Sequence, residues 1–267
     1  MYRSLRGLLV LLVVVLLGVS FSRSSVMAED LKVSVDAEAL VISKYVWRGL
    51  EVNEDPVLQP SLTVAYGGFS FNLWGNMDLT DFGEDECVYT SDCESRAGQF
   101  TEIDLTLDYS HSFDKFTLGA GIISYQFPNW DESEDTHEVY LAFSYDCLLA
   151  PALTIYYDFD EVEGFYANFS LGHSFAINEK IGVDLSGSIG YGDSDYNIAY
   201  FGVDDSAFVD VNCCVALPFQ ATDKITITPM LNLTSIVDSD LKDSVESNSC
   251  CDNETNIYGG VAISFSF

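Results

Sequence analysis

The sequence predicts an all-β chain: an antiparallel up-and-down transmembrane β-barrel of about 12 strands, with short periplasmic turns and longer outer loops. Three observations predict it. Side chains alternate with period 2 along almost the whole chain, the connections sort by length into short and long in turn, and the C-terminal residue is an aromatic, Phe267, closing an alternating strand.

Composition narrows the field first. Eleven Lys+Arg stand against 42 Asp+Glu in 267 residues, a net charge of −31, yet 48% of the chain is hydrophobic. Disordered acidic tails are not that apolar, and phosphate binding needs a basic footprint that is absent here. The expectation is a folded chain with no nucleic-acid partner.

The N-terminus reads as a secretory signal over residues 1–28. Arg3 and Arg6 precede an apolar run from Gly7 to Val19, and Val26-Met27-Ala28 fits the small-residue cleavage rule. The run is 13 residues, against about 20 needed for a helical span. Removing 1–28 takes away three arginines and no acid, leaving eight cations against 42 anions. Residues 29–267 are then a single barrel domain.

Phe100 to Phe113 shows the alternation well. Ile103, Leu105, Leu107 and Tyr109 fall on one parity, and Glu102, Asp104, Thr106 and Asp108 on the other. A strand turns these sets to opposite faces. Residues 181–191 and 256–267 repeat the pattern. Twelve segments follow: 31–49, 58–66, 69–79, 100–112, 115–127, 136–147, 152–159, 164–176, 180–191, 206–219, 224–237 and 256–267. Every second connection is four residues or fewer, beginning with Gly67-Gly68, while the longer ones run over 80–99, 192–205 and 238–255. A barrel inserted from one side of a membrane explains sorting by parity, and a soluble sandwich does not.

The heptad Ser43-Lys44-Tyr45-Val46-Trp47-Arg48-Gly49, followed by Gln59-Pro60-Ser61-Leu62 and Phe71-Asn72-Leu73-Trp74-Gly75-Asn76, resembles the bacterial TorF-type porin family. The match covers about residues 41–81. The resemblance implies an outer-membrane β-barrel in a Gram-negative-type bacterium, reached by Sec export and signal cleavage.

If the apolar parity meets lipid, the other lines a lumen. The pore-lining candidates are Asp36, Glu38, Lys44, Arg48, Asp78, Glu102, Asp104, Asp108, Glu138, Asp158, Asp184 and Asp210. Carboxylate rings favour cations, and a narrow low-dielectric tube focuses their field. The expected function is a porin-like channel for passive diffusion of small neutral or cationic solutes. The alternative is a non-conducting structural or surface-interaction barrel with acidic, cysteine-bearing outer loops. Lys44 and Arg48 share the parity of Asp36 and Glu38, so the first strand should carry them inward near the outer mouth. The expected assembly is a monomer amid outer-membrane lipid and lipopolysaccharide.

The outer loops hold acidic clusters, including Glu84-Asp85-Glu86 and Asp131-Glu132. They suit Ca²⁺ or Mg²⁺ bridging to lipopolysaccharide phosphates, or a solvated anti-aggregation surface. No calcium-loop spacing is present, so the second is the expectation, with no resident cofactor or metal. Seven cysteines sit in an exported chain, where disulfides form. Cys87, Cys93, Cys250 and Cys251 are the disulfide candidates, and spacing leaves their pairing open. Cys213 falls on the lipid parity.

Enzyme chemistry has little support. His111, His137 and His173 fall on the apolar parity, and neighbouring Ser110, Ser112 and Ser174 point the other way. No Gly-x-Ser-x-Gly, HExxH or phosphate loop is present. The expectation is a non-enzyme.

Overall fold

A computed structural model describes residues 32–80, 97–128, 135–247 and 253–267. In chain order the strands are β1 (Ser34–Ile42), β2 (Tyr45–Trp47), β3 (Leu50–Asn53), β4 (Val57–Tyr66), β5 (Phe69–Asp78), β6 (Phe100–Phe113), β7 (Phe116–Gln126), β8 (Thr136–Tyr145), β9 (Ala152–Asp158), β10 (Phe165–Ala176) and β11 (Gly182–Gly192). Helix α1 (Ser194–Phe201) follows, then β12 (Ala207–Ala216), β13 (Phe219–Gln220), β14 (Ile225–Ile236), α2 (Ser239–Ser247) and β15 (Thr255–Ser266).

Sequential antiparallel pairing runs from β4 through β12. β12 then pairs with β14, β14 with β15, and β15 with β1, which pairs with β4. The result is a closed antiparallel barrel of 12 strands. Closure leaves no free sheet edge, a requirement for backbone placed in hydrocarbon.

The alternation decides which face is which. Leu62, Leu73, Leu107, Leu141, Phe143, Leu231 and Ile263 all point outward and are exposed. In a β-sandwich Leu107 and Ile263 would be covered; here they are 53% and 39% exposed. An apolar belt this extensive is untenable in water and suits lipid. Aromatic pairs rim both ends of the belt. Phe69–Tyr109 and Phe116–Tyr145, each with ring centroids 4.7 Å apart, mark the short-turn end. Tyr157–Phe165 and Tyr191–Phe208, at 4.4 and 5.5 Å, mark the long-loop end. The tight β4–β5 turn uses Gly67 and Gly68, with φ of 58° and 89°, the left-handed pair that a two-residue hairpin demands.

Two expected elements differ. The segment 206–219 is not a single strand: β12 stops at Ala216, and Phe219–Gln220 pairs separately with β14 as β13. The segment 31–49 is not a single strand: β1 stops at Ile42, and residues 45–53 fold back as the separate hairpin β2–β3. Alternation continues through Ser43 to Trp47 because the hairpin also has two unlike faces, so periodicity alone did not reveal the break.

Candidate functional site

The β2–β3 hairpin turns into the barrel. Its two central residues, Arg48 and Gly49, have φ of 47° and 92°, which makes a tight turn whose twist matches the flanking strands. The hairpin leaves the wall between β1 and β4 and reaches the far side. Arg48 donates two hydrogen bonds to Glu138 on β8, Nη1 to Oε1 at 2.8 Å and Nη2 to Oε2 at 2.7 Å. This fork-to-fork pairing is the strongest geometry the two groups have.

Aromatic rings enclose the guanidinium. Its carbon lies 4.4 Å from the Trp47 ring centroid, 4.5 Å from Tyr156 on β9, 4.4 Å from Tyr166 on β10 and 5.9 Å from Tyr196 on α1. A weakly hydrated planar cation tolerates such a site because the π-faces are negative. Burial pushes the Tyr196 and Tyr200 phenols up, so these helix residues stay neutral. Tyr125 on β7 donates to Glu138 Oε2 at 2.8 Å, completing the carboxylate's partners.

The hairpin base is tied separately. Lys44 Nζ donates to Glu51 Oε2 at 2.6 Å and to Asn256 Oδ1 on β15 at 2.9 Å. Above the hairpin, α1 and α2 complete a small core of Tyr166, Tyr196, Phe201, Val209, Ile236, Leu241 and Val245. Asp193 caps α1 by accepting from the Tyr196 N–H at 2.9 Å. The long-loop half of the lumen is therefore occupied by ordered chain. A cavity of about 190 Å³ remains beside Tyr45, Trp47, Glu102, Tyr125 and Tyr200. That is below the roughly 300 Å³ at which small-molecule sites begin.

The predicted lining residues fall into two zones. Asp78, Glu102, Glu138, Asp158 and Asp210 are buried around the hairpin. Asp78 and Thr101 share a network with Asn76, and Asp210 Oδ1 accepts from Tyr166 OH at 2.8 Å. Asp158 accepts from Thr136 at 2.6 Å. Toward the short-turn end, Asp36 accepts from Ser266 and Glu38 from Ser264, both at 2.7 Å, while Asp108 accepts from Ser70 at 2.6 Å. Asp184 sits opposite Ser174 and Ala216 on the same parity. Asp104 shares the inward parity of β6, and its Oδ1 is buried without a protein partner. Lys44 and Arg48 do not sit in the first strand as expected; they sit at the base and tip of the inserted hairpin.

Sequence reasoning missed Trp47, Tyr156, Tyr166, Tyr196 and Glu51. A usable signal existed for two of them: Tyr156 and Tyr166 fall on the polar parity of their strands, where an aromatic is out of place unless something packs against it. Cys87, Cys93, Cys250, Cys251 and the acidic clusters at 84–86 and 131–132 lie outside the described residues. Cys213 is exposed on the outer face, as its parity predicts, and Cys214 points inward.

A 12-strand barrel with an apolar outer belt, paired aromatic rims and a polar interior has the fold of the outer-membrane porins. The chain is similar to the NanC porin, at 13% identity and a TM-score of 0.51, covering 86% of this chain and 98% of that one. It is similar also to the COG4313 outer membrane channel from Pseudomonas putida F1, at 11% identity and a TM-score of 0.51, covering 90% and 97%. Residues 29–228 match the family described as "Bacterial protein of unknown function (Gcw_chp)", and the chain belongs to that family. No curated protein matches it.

Proposed function

We propose that the protein is a porin-like channel of the outer membrane that passes small neutral or cationic solutes, with the Arg48 hairpin as its constriction. The observation that carries this reading is the inward face. Toward the short turns it is polar and acidic, and at the long-loop half a hairpin crosses it, tied to the far wall by the Arg48–Glu138 ion pair and packed among aromatic rings beneath a small apolar cluster. Carboxylates at Asp36, Glu38, Asp108 and Asp184 form a negative vestibule, which concentrates cations and repels anions. The short turns face the periplasm in this arrangement, and residues 1–28 serve as the export signal. The TorF-type resemblance of residues 41–81 supports the same reading, as do the porin folds of the solved relatives.

A second reading has its own observation. The hairpin, α1 and α2 together cover the long-loop mouth, which favours a closed, non-conducting barrel whose role lies in its outer surface. Planar-bilayer recording tests the two. Unitary steps with a cation-selective reversal potential in a KCl gradient support the channel. Silence from both the wild type and a hairpin-loosened Arg48→Ala variant rejects it in favour of the closed barrel.

A further inference from the structure

On the outer surface, away from the lumen, three polar side chains meet at the rim of a mostly apolar belt. Ser124 of β7 and His137 of β8 are direct cross-strand partners, and both take the outward parity. Their neighbours on that face are Ile122, Val139, Leu141 and Phe143. Ser124 Oγ lies 3.3 Å from His137 Nε2. On the other side of the ring, His137 Nδ1 lies 2.9 Å from Asp160 Oδ2.

The third member is held in place by built structure. Asp158 Oδ1 accepts from the N–H groups of Asp160 at 2.9 Å and Val162 at 3.2 Å, and Thr136 anchors the other oxygen. Phe159 N–H bonds to the His137 carbonyl at 3.1 Å, and the Phe159 ring sits 6.0 Å from the imidazole. A carboxylate on Nδ1 selects the tautomer with its proton there, which leaves the Nε2 lone pair facing the serine hydroxyl. Histidine and aspartate keep side-chain exposures of 36% and 46%, so the group is reachable. Ser124 is two residues from the long-loop end of β7 and His137 is the second residue of β8, which sets the group at the long-loop aromatic rim.

We propose that Ser124, His137 and Asp160 form an acyl-ester hydrolase site facing the lipid, whose substrate class is an O-acyl ester of an outer-leaflet lipid. Ser124 Oγ attacks the ester carbonyl carbon and its proton passes to His137 Nε2. Collapse of the tetrahedral adduct breaks the acyl C–O bond, and the departing alkoxide takes that proton. Water, giving a proton to Nε2, then attacks the acyl-serine, releases the fatty acid and restores the hydroxyl. Asp160 acts as a positioning residue that orients and steadies the imidazolium. Gln126 shares the outward parity of Ser124, two positions along β7. A soluble ester would have no reason to approach this belt, whereas an acyl chain lies against Ile122, Val139 and Leu141.

The site is independent of conduction, so its test leaves the channel reading untouched. Refolded full-length protein is placed in mixed micelles with phosphatidylethanolamine in one arm and lipid A in the other. Released fatty acid is followed by mass spectrometry, and a fluorophosphonate probe is mapped by peptide analysis. The expected result is release in at least one arm, which also tells the two lipid sources apart, with the probe on Ser124. Ser124→Ala and His137→Asn should each lose at least about 10³-fold of the turnover. Asp160→Asn should lower kcat with KM unchanged. All three substitutions sit on the surface and should leave the heat-modifiable gel shift and bilayer conductance as in the wild type. Wild-type release no greater than that of Ser124→Ala in both arms, or a probe that leaves Ser124 unlabelled, overturns the proposal.

Discussion

Arg48 and Glu138 are 90 residues apart in the chain and join opposite walls of the barrel through two hydrogen bonds of 2.8 and 2.7 Å. Arg48 holds this pairing from a left-handed backbone, φ 47°, which costs a non-glycine residue roughly 1–2 kcal/mol. The bidentate pair and the surrounding rings outweigh that cost. Arg48→Ala would leave Glu138 buried with Tyr125 as its sole remaining partner among these contacts. Loss of one member of a buried pair costs about 3–5 kcal/mol. The variant should lose its folded gel form at a lower temperature and show larger unitary conductance. Arg48→Lys should not restore either property, because an ammonium lacks the planar fork.

Gly49 provides a second route to the same state without touching a charge. A Cβ there would meet Ile236 Cδ1 at 2.7 Å and Asp210 Cβ at 2.8 Å, and φ is 92°. The hairpin tip is pressed against β12 and β14, and the left-handed backbone strains any side chain there besides. Gly49→Val should displace the hairpin and raise conductance as Arg48→Ala does. A Gly49→Val channel that conducts like the wild type would show that the hairpin does not limit the pore.

Twelve strands were legible because the cause of their pattern is local: lipid on one side and a polar interior on the other impose period 2 within each segment. The loop-length parity was legible for the same reason. The hairpin was not. Its inward fold depends on Arg48 meeting Glu138 and on Lys44 meeting Asn256, 212 residues away. Alternation in Tyr45-Val46-Trp47 is equally compatible with continuing β1. Parity puts the predicted lining carboxylates on one face, but it carries no sign of their division into a group buried around the hairpin and an exposed group toward the short turns. That division is made by Trp47, Tyr196 and Tyr200, two of which come from a helix 150 residues further on. The outer-face group was not legible because serines adjacent to histidines in sequence are turned by the strand to the other side. The partner of His137 is instead its cross-strand neighbour, Ser124.

Two consecutive cysteines offer a direct check on the faces. Cys213 is exposed on the outer surface and pairs across with Gly187, while Cys214 pairs with Ser186 on the inward parity. Cys147 is exposed beyond the end of β8, at the short-turn rim. In proteoliposomes a charged, water-soluble methanethiosulfonate should modify Cys147 and Cys214 and spare Cys213, with sites assigned by peptide mapping. A lipid-soluble maleimide should reach Cys213. Charged modification of Cys213 with Cys214 protected would invert the faces and end the barrel assignment.

Asp36 and Glu38 are exposed on β1 at the short-turn mouth, and each is held by one serine of β15 rather than by a cation. Their charge is not cancelled locally, and a narrow low-dielectric passage carries the field into the path of a permeating ion. Neutralising both, Asp36→Asn with Glu38→Gln, keeps the serine hydrogen bonds and removes two negative charges. The reversal potential in a KCl gradient should therefore move toward zero, with stability unchanged because the residues are exposed. The shift should be large at 0.01 M salt, where the Debye length is about 30 Å, and nearly vanish at 1 M, where it is about 3 Å. A selectivity unchanged at low salt would place the filter elsewhere, at the buried Glu102 and half-buried Asp104 of β6. Wild-type anion selectivity would defeat the acidic-lumen account altogether.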